Sequence, residues 1–84
     1  QIWKILLTNE YYIISNNEIK IINITNQPLD VTLKYFDKYK KYHIKIMNEK
    51  GCLINETIVS GETFQNKGLK INLKGKYIIA RIEN

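Results

Sequence analysis

Leu29-Asp30-Val31-Thr32-Leu33-Lys34-Tyr35-Phe36 alternates in character along its length. Leu29, Val31, Leu33 and Tyr35 fall on one side, and Asp30, Thr32, Lys34 and Phe36 on the other. A period of two places these rows on opposite faces of an extended chain, so the stretch predicts a half-buried strand. The pattern returns at Tyr42, Ile44 and Ile46, with His43, Lys45 and Met47 opposite. It returns again at Leu69, Ile71 and Leu73, with Lys70 and Asn72 opposite. Ile19 and Ile21 open a further strand whose phase shifts at Ile22 and Ile24. That shift predicts a bulge or a strand buried on both faces. β-Branched residues recur throughout; they lose rotamer freedom in helices and pack well on pleated surfaces. Helix signals are weak along the whole chain.

Turn residues divide the strands. Ser15-Asn16-Asn17 separates Tyr11–Ile14 from Glu18–Ile24, and Thr25-Asn26-Gln27-Pro28 separates that strand from Leu29–Phe36. Pro28 stands where a strand begins, a position that needs no ladder donor. Asn48-Glu49-Lys50-Gly51 reads as a type I turn followed by a glycine at positive φ, joining Tyr42–Met47 to Cys52–Val59. Ser60-Gly61-Glu62 ends that strand, Lys67-Gly68 precedes the next, and Lys74-Gly75-Lys76 precedes Tyr77–Ile82. Short strands with frequent turns predict an all-β domain over residues 1–84: an antiparallel, immunoglobulin-like sandwich of about seven strands. A small barrel of the oligonucleotide-binding or SH3 type is the alternative.

Eighty-four residues make one domain, and an apolar share of 44% is ordinary for a globular chain. The formal charge is +5, nearly all of it from lysine; Arg81 is the single arginine. Such a balance permits contact with nucleic acid, anionic lipid or acidic glycan without requiring any of them. Sites that grip phosphate or guanine usually use the planar fork of arginine. No apolar run is long enough to span a bilayer. The opening at Gln1 rather than Met reads as a mature or trimmed form.

The chemistry-bearing residues are sparse. Cys52 and His43 are each alone, so neither a disulfide framework nor a Cys- or His-based metal site is predicted. His43 alternates with Ile44 and is expected on the solvent side, while Cys52 reads as a small buried hydrophobe. The carboxylates stand singly, with no pair two apart on one strand face. The expectation is a chain with no catalytic residues and no cofactor.

Tyr35–Lys45, YFDKYKKYHIK, interleaves lysine and tyrosine more densely than any other stretch. Single-stranded nucleic-acid binders combine a basic groove with stacking aromatics. Phase argues for a solvated hairpin end instead: Tyr35 continues the row of Leu33 and Val31, and Tyr42 that of Ile44, so both point inward. Lys38, Tyr39, Lys40 and Lys41 remain as the candidate contact residues, with Tyr39 free at the tip. Asn23-Ile24-Thr25 and Asn55-Glu56-Thr57 match the N-glycosylation acceptor pattern. In so asparagine-rich a chain such matches arise by chance.

Two pieces of the second half carry a resemblance: Ile44-Lys45-Ile46-Met47-Asn48-Glu49-Lys50-Gly51 and Leu73-Lys74-Gly75-Lys76-Tyr77. They look like the strand–turn and Gly-x-Tyr close of small immunoglobulin-like β-sandwiches in Bacteroidetes surface and secreted proteins. One such group is the C-terminal sorting domain of the type IX secretion system. Another is a set of short secreted Bacteroides domains of unknown function. Only Asn26-Gln27-Pro28 approximates the Pro-Asn-Pro step of the sorting domains, and the strands before Thr25 are extra. Those departures favour the stand-alone domain. The resemblance implies no catalytic residues, and it implies a Tyr77 ring packed in the core with its hydroxyl at the rim.

These readings converge on a non-enzymatic secreted or cell-surface module. Its partner would be an unknown protein or glycan, met through its loops or an edge strand; a third reading is an inhibitor or accessory module that docks to a partner by strand addition. A small basic nucleic-acid-binding β protein of the cytoplasm is the competing reading.

Overall fold

The computed structural model describes residues 3–5, 10–25, 27–35 and 41–83. In chain order these form β1 (Trp3–Ile5), β2 (Glu10–Ser15), β3 (Glu18–Ile22), β4 (Leu29–Tyr35), β5 (Lys41–Asn48), β6 (Leu53–Ser60), α1 (Gly61–Asn66), β7 (Leu69–Leu73) and β8 (Tyr77–Glu83). Seven of the described strands have five residues or more, and β1 has three. They build two antiparallel sheets, ordered β1-β4-β7 and β2-β3-β8-β5-β6. Among the described residues no strand joins the two sheets, so the architecture is a two-layer sandwich and not the closed barrel of the alternative reading.

The alternating rows become the two inner faces. Val31, Leu33 and Tyr35 of β4 and Ile71 and Leu73 of β7 line the smaller sheet. Ile19 and Ile21 of β3, Tyr42, Ile44 and Ile46 of β5, and Ile78, Ala80 and Ile82 of β8 line the larger. All belong to one cluster. Burying a side chain of this size contributes about 1.5–3 kcal/mol, so the inner faces hold the layers together. At one end Trp3, Tyr35, Tyr42 and Phe64 pack ring against ring. The centroids lie 4.8 Å apart for Trp3–Tyr35, 5.3 Å for Tyr35–Tyr42 and 5.8 Å for Tyr35–Phe64.

Several local readings are corrected. The phase shift after Ile21 is neither a bulge nor a doubly buried strand: β3 ends at Ile22 and Ile24 lies exposed beyond it. The irregular registers fall on the outermost strands instead. In β2 the extra residue is Ile14, between the Ile13↔Ile19 and Ser15↔Glu18 pairs. In β6 it is Ile54, between Leu53↔Met47 and Asn55↔Ile46. Tyr77 is only half-buried, because Ile78, Ala80 and Ile82 take the inward positions of β8. Lys20 lies over its ring at 4.1 Å, and its hydroxyl donates to the Glu49 carbonyl at 3.3 Å. Cys52 is exposed, since it sits in the turn and not on a strand.

α1 and β1 were not foreseen. Ser60 caps α1 by accepting the Thr63 N–H at 3.2 Å. Gly68, at φ 78°, ends it by donating to the Thr63 carbonyl at 3.0 Å. Between those caps the helix exists to deliver Phe64 to the aromatic cluster.

β4, β5, β7 and β8 stand as strands B, C, E and F stand in an immunoglobulin domain, with β6 beside β5 as strand C′. Two departures follow. The place of strand G, next to β8, is taken by β3, which precedes β4 in the chain. The place of strand D, next to β7, is taken by no strand among the described residues.

Candidate interaction surface

The Tyr35–Lys45 end places its two foreseen inward tyrosines in the core: Tyr35 is 7% exposed and Tyr42 2%. Lys38, Tyr39 and Lys40 lie outside the described residues, so of the four candidate contact residues only Lys41 is placed. It is exposed at the start of β5, opposite Ser60. Lys45, farther along β5, pairs with Glu83 at 3.1 Å on the outer face of the large sheet.

That outer face is laced by ion pairs. Arg81 Nη2 and Nε both approach Glu18 Oε2, at 2.8 and 2.9 Å. His43 Nε2 stands 3.2 Å from Glu56 Oε1, on the solvent side as its phase requires. Each pair links neighbouring strands across an open surface, and no group of three or more His, Cys, Asp or Glu among the described residues could hold a metal.

Asn23 of the first glycosylation pattern is occupied structurally. Its side-chain amide donates to the carbonyls of Gln27 and Leu73, at 3.0 and 3.3 Å. Its side-chain oxygen accepts from the N–H and hydroxyl of Thr25, at 2.9 and 2.8 Å. This Asx turn clips the β3–β4 connection onto the end of β7.

The open surface lies at the sheet edges. β6 is the outermost described strand of the large sheet, and Leu53, Ile54 and Ile58 on it are 52%, 51% and 69% exposed. β2, at the other margin, carries exposed Tyr12, Ile13 and Ile14. Among the described residues no strand lies beside β7 on its far side from β4, so the inner row of β6 is covered only in part: Val59 packs against the core, near the end where α1 meets β6, while Asn55 at the other end is exposed. A cleft of about 610 Å³ remains between β6 and β7. Ile46, Ile54 and Ile71 give it an apolar lining, and Lys70, Lys74 and Glu49 supply charge around it. Ile54 and Asn55 are consecutive yet both line it, an arrangement the extra residue in β6 permits by re-aiming one side chain.

None of this was singled out from the sequence. The available signal was that 52–59 has apolar residues in both phases, Leu53, Ile54, Ile58 and Val59, where a half-buried strand would alternate. No protein-family model matches the chain, and neither curated proteins nor solved structures include a significant match to it.

Proposed function

We propose that the domain is a non-enzymatic recognition module of a secreted or cell-surface protein. It meets its partner through the open margin of the sandwich at β6 and β7. The observation that carries this reading is the exposure of Ile54 on the edge strand β6, where it lines the apolar cleft, with Leu53 and Ile58 exposed on the outer face of the same strand. Natural edge strands are ordinarily blunted by charge, proline or a covering element, so large apolar groups left exposed on one mark a contact surface. The resemblance of residues 43–84 to Bacteroidetes surface and secreted sandwiches supports the compartment.

The test is selection of ligands for the immobilised domain from displayed random peptides and from a panel of glycans. The expected ligands lose binding when Ile54 in the cleft or Leu53 beside it is replaced by lysine in a domain that keeps its β-sheet circular dichroism. Ligands indifferent to both substitutions would sink the reading. Sub-micromolar affinity for an oligonucleotide at physiological salt, lost on Lys40→Glu or Tyr39→Ala, would put the nucleic-acid alternative first.

A further inference from the structure

We propose that the cleft between β6 and β7 receives an extended, acidic segment of a partner protein, added beside β7 as a fourth strand of the small sheet. This rests on the proposed function and names the partner's chemistry. In an antiparallel pair every second residue turns its N–H and C=O away from its neighbour. β7 pairs with β4 on one side, and among the described residues no strand meets the groups on its other side. A row of alternating donors and acceptors is complemented by another extended backbone.

Side chains of such a strand would alternate between two surroundings. Those turned inward would meet Ile46, Ile54 and Ile71 between the sheets. Those turned outward would pass Lys70 and Lys74, with Lys67 exposed just ahead of β7; among the described residues Glu49 is the one carboxylate lining the cleft. Charge complementarity therefore asks for a segment that alternates apolar and acidic residues. A nucleic acid fits this place poorly. Its backbone has no N–H donors for the carbonyls that β7 turns away from β4, and the apolar lining has nothing to gain from phosphate.

The experiment is an amide-resolved NMR titration of the domain. The probe is a peptide of about twelve residues alternating isoleucine or valine with glutamate, long enough for one strand and its flanks. The same peptide with lysine for glutamate, the same peptide N-methylated at alternate amides, and a thymidine oligonucleotide of equal length serve as comparisons. Shifts should concentrate at Leu69–Leu73, Ile54 and Asn55. Lys70→Glu combined with Lys74→Glu should weaken the acidic peptide about tenfold while leaving the domain folded. N-methylation on the edge that faces β7 should abolish binding. No shift in β7 with millimolar acidic peptide overturns the proposal, as does equal binding of the lysine peptide or tighter binding of the oligonucleotide. Shifts confined to the outer edge of β6 overturn the cleft assignment but leave the recognition-module reading standing. Shifts in β7 that follow protein concentration without peptide assign the vacancy to a second copy of this chain and overturn the proposal.

Discussion

The hydroxyl of Tyr77 donates to the backbone carbonyl of Glu49 at 3.3 Å, tying the first residue of β8 to the turn between β5 and β6. The ring lies half-buried beneath the ammonium of Lys20. Tyr77→Phe keeps the ring and loses the bond, so it should cost about 1 kcal/mol. Tyr77→Ala also loses the packing and the cation–π contact and should cost about 2 kcal/mol, less than a fully buried aromatic would. Urea denaturation measures both; equal losses would mean that the ring contributes nothing.

Gly51 and Gly68 both adopt positive φ, 81° and 78°, in different surroundings. A Cβ on Gly51 would meet nothing within 4 Å, so Gly51→Ala should cost only the left-handed backbone penalty, about 1–2 kcal/mol. A Cβ on Gly68 would lie 2.6 Å from Thr32 Cγ2 and 2.9 Å from the Leu33 carbonyl. Gly68→Ala should therefore be the more damaging of the two in the same denaturation series. The reverse order would contradict the close approach of the α1–β7 turn to β4.

The helix can be tested at both its cap and its anchor. Ser60→Ala removes the bond to the Thr63 N–H and should cost about 1 kcal/mol. Phe64→Ala empties a site of 0% exposure beside Trp3 and Tyr35 and should cost about 3–5 kcal/mol. Trp3 is the single tryptophan, so its fluorescence reports the Phe64 change directly.

Arg81 and Glu18 make a short contact at the surface. Both Arg81 nitrogens address the same oxygen of Glu18, and the arginine is about half-exposed, so solvent and salt screen the pair. Arg81→Met should change stability by less than about 1 kcal/mol, and the change should shrink further at high salt. A larger, salt-insensitive loss would show that the pair orders the β3–β8 ladder.

The strands were legible because a half-buried strand writes its two faces into alternate residues, as Val31, Leu33 and Tyr35 do. Where that alternation was missing, reading was poorer. In β8 the run Tyr77-Ile78-Ile79 is apolar in both phases, and packing against the small sheet selects Ile78. α1 is shorter than two helical turns, too short for periodicity; only its caps, Ser60 and Gly68, announce it. β1 owes its place to the burial of Trp3, a contact at long sequence separation. The cleft was out of reach for a different reason. It depends on β7 having no second strand neighbour among the described residues, and that is a property of the connections, not of any one segment.

β8 comes last among the strands yet lies in the middle of the large sheet, between β3 and β5. The hairpins β2–β3 and β5–β6 touch within that sheet only through it. During synthesis both hairpins must wait, each with one margin unsatisfied, until the final strand has left the ribosome. Glu18 then meets Arg81 across 63 positions of chain. Closing so long a loop is entropically slow, so refolding should run on the millisecond-to-second scale of strand topologies dominated by distant pairing. Shortening the chain within Tyr77–Glu83 would leave the two hairpins with no strand to join them within the large sheet.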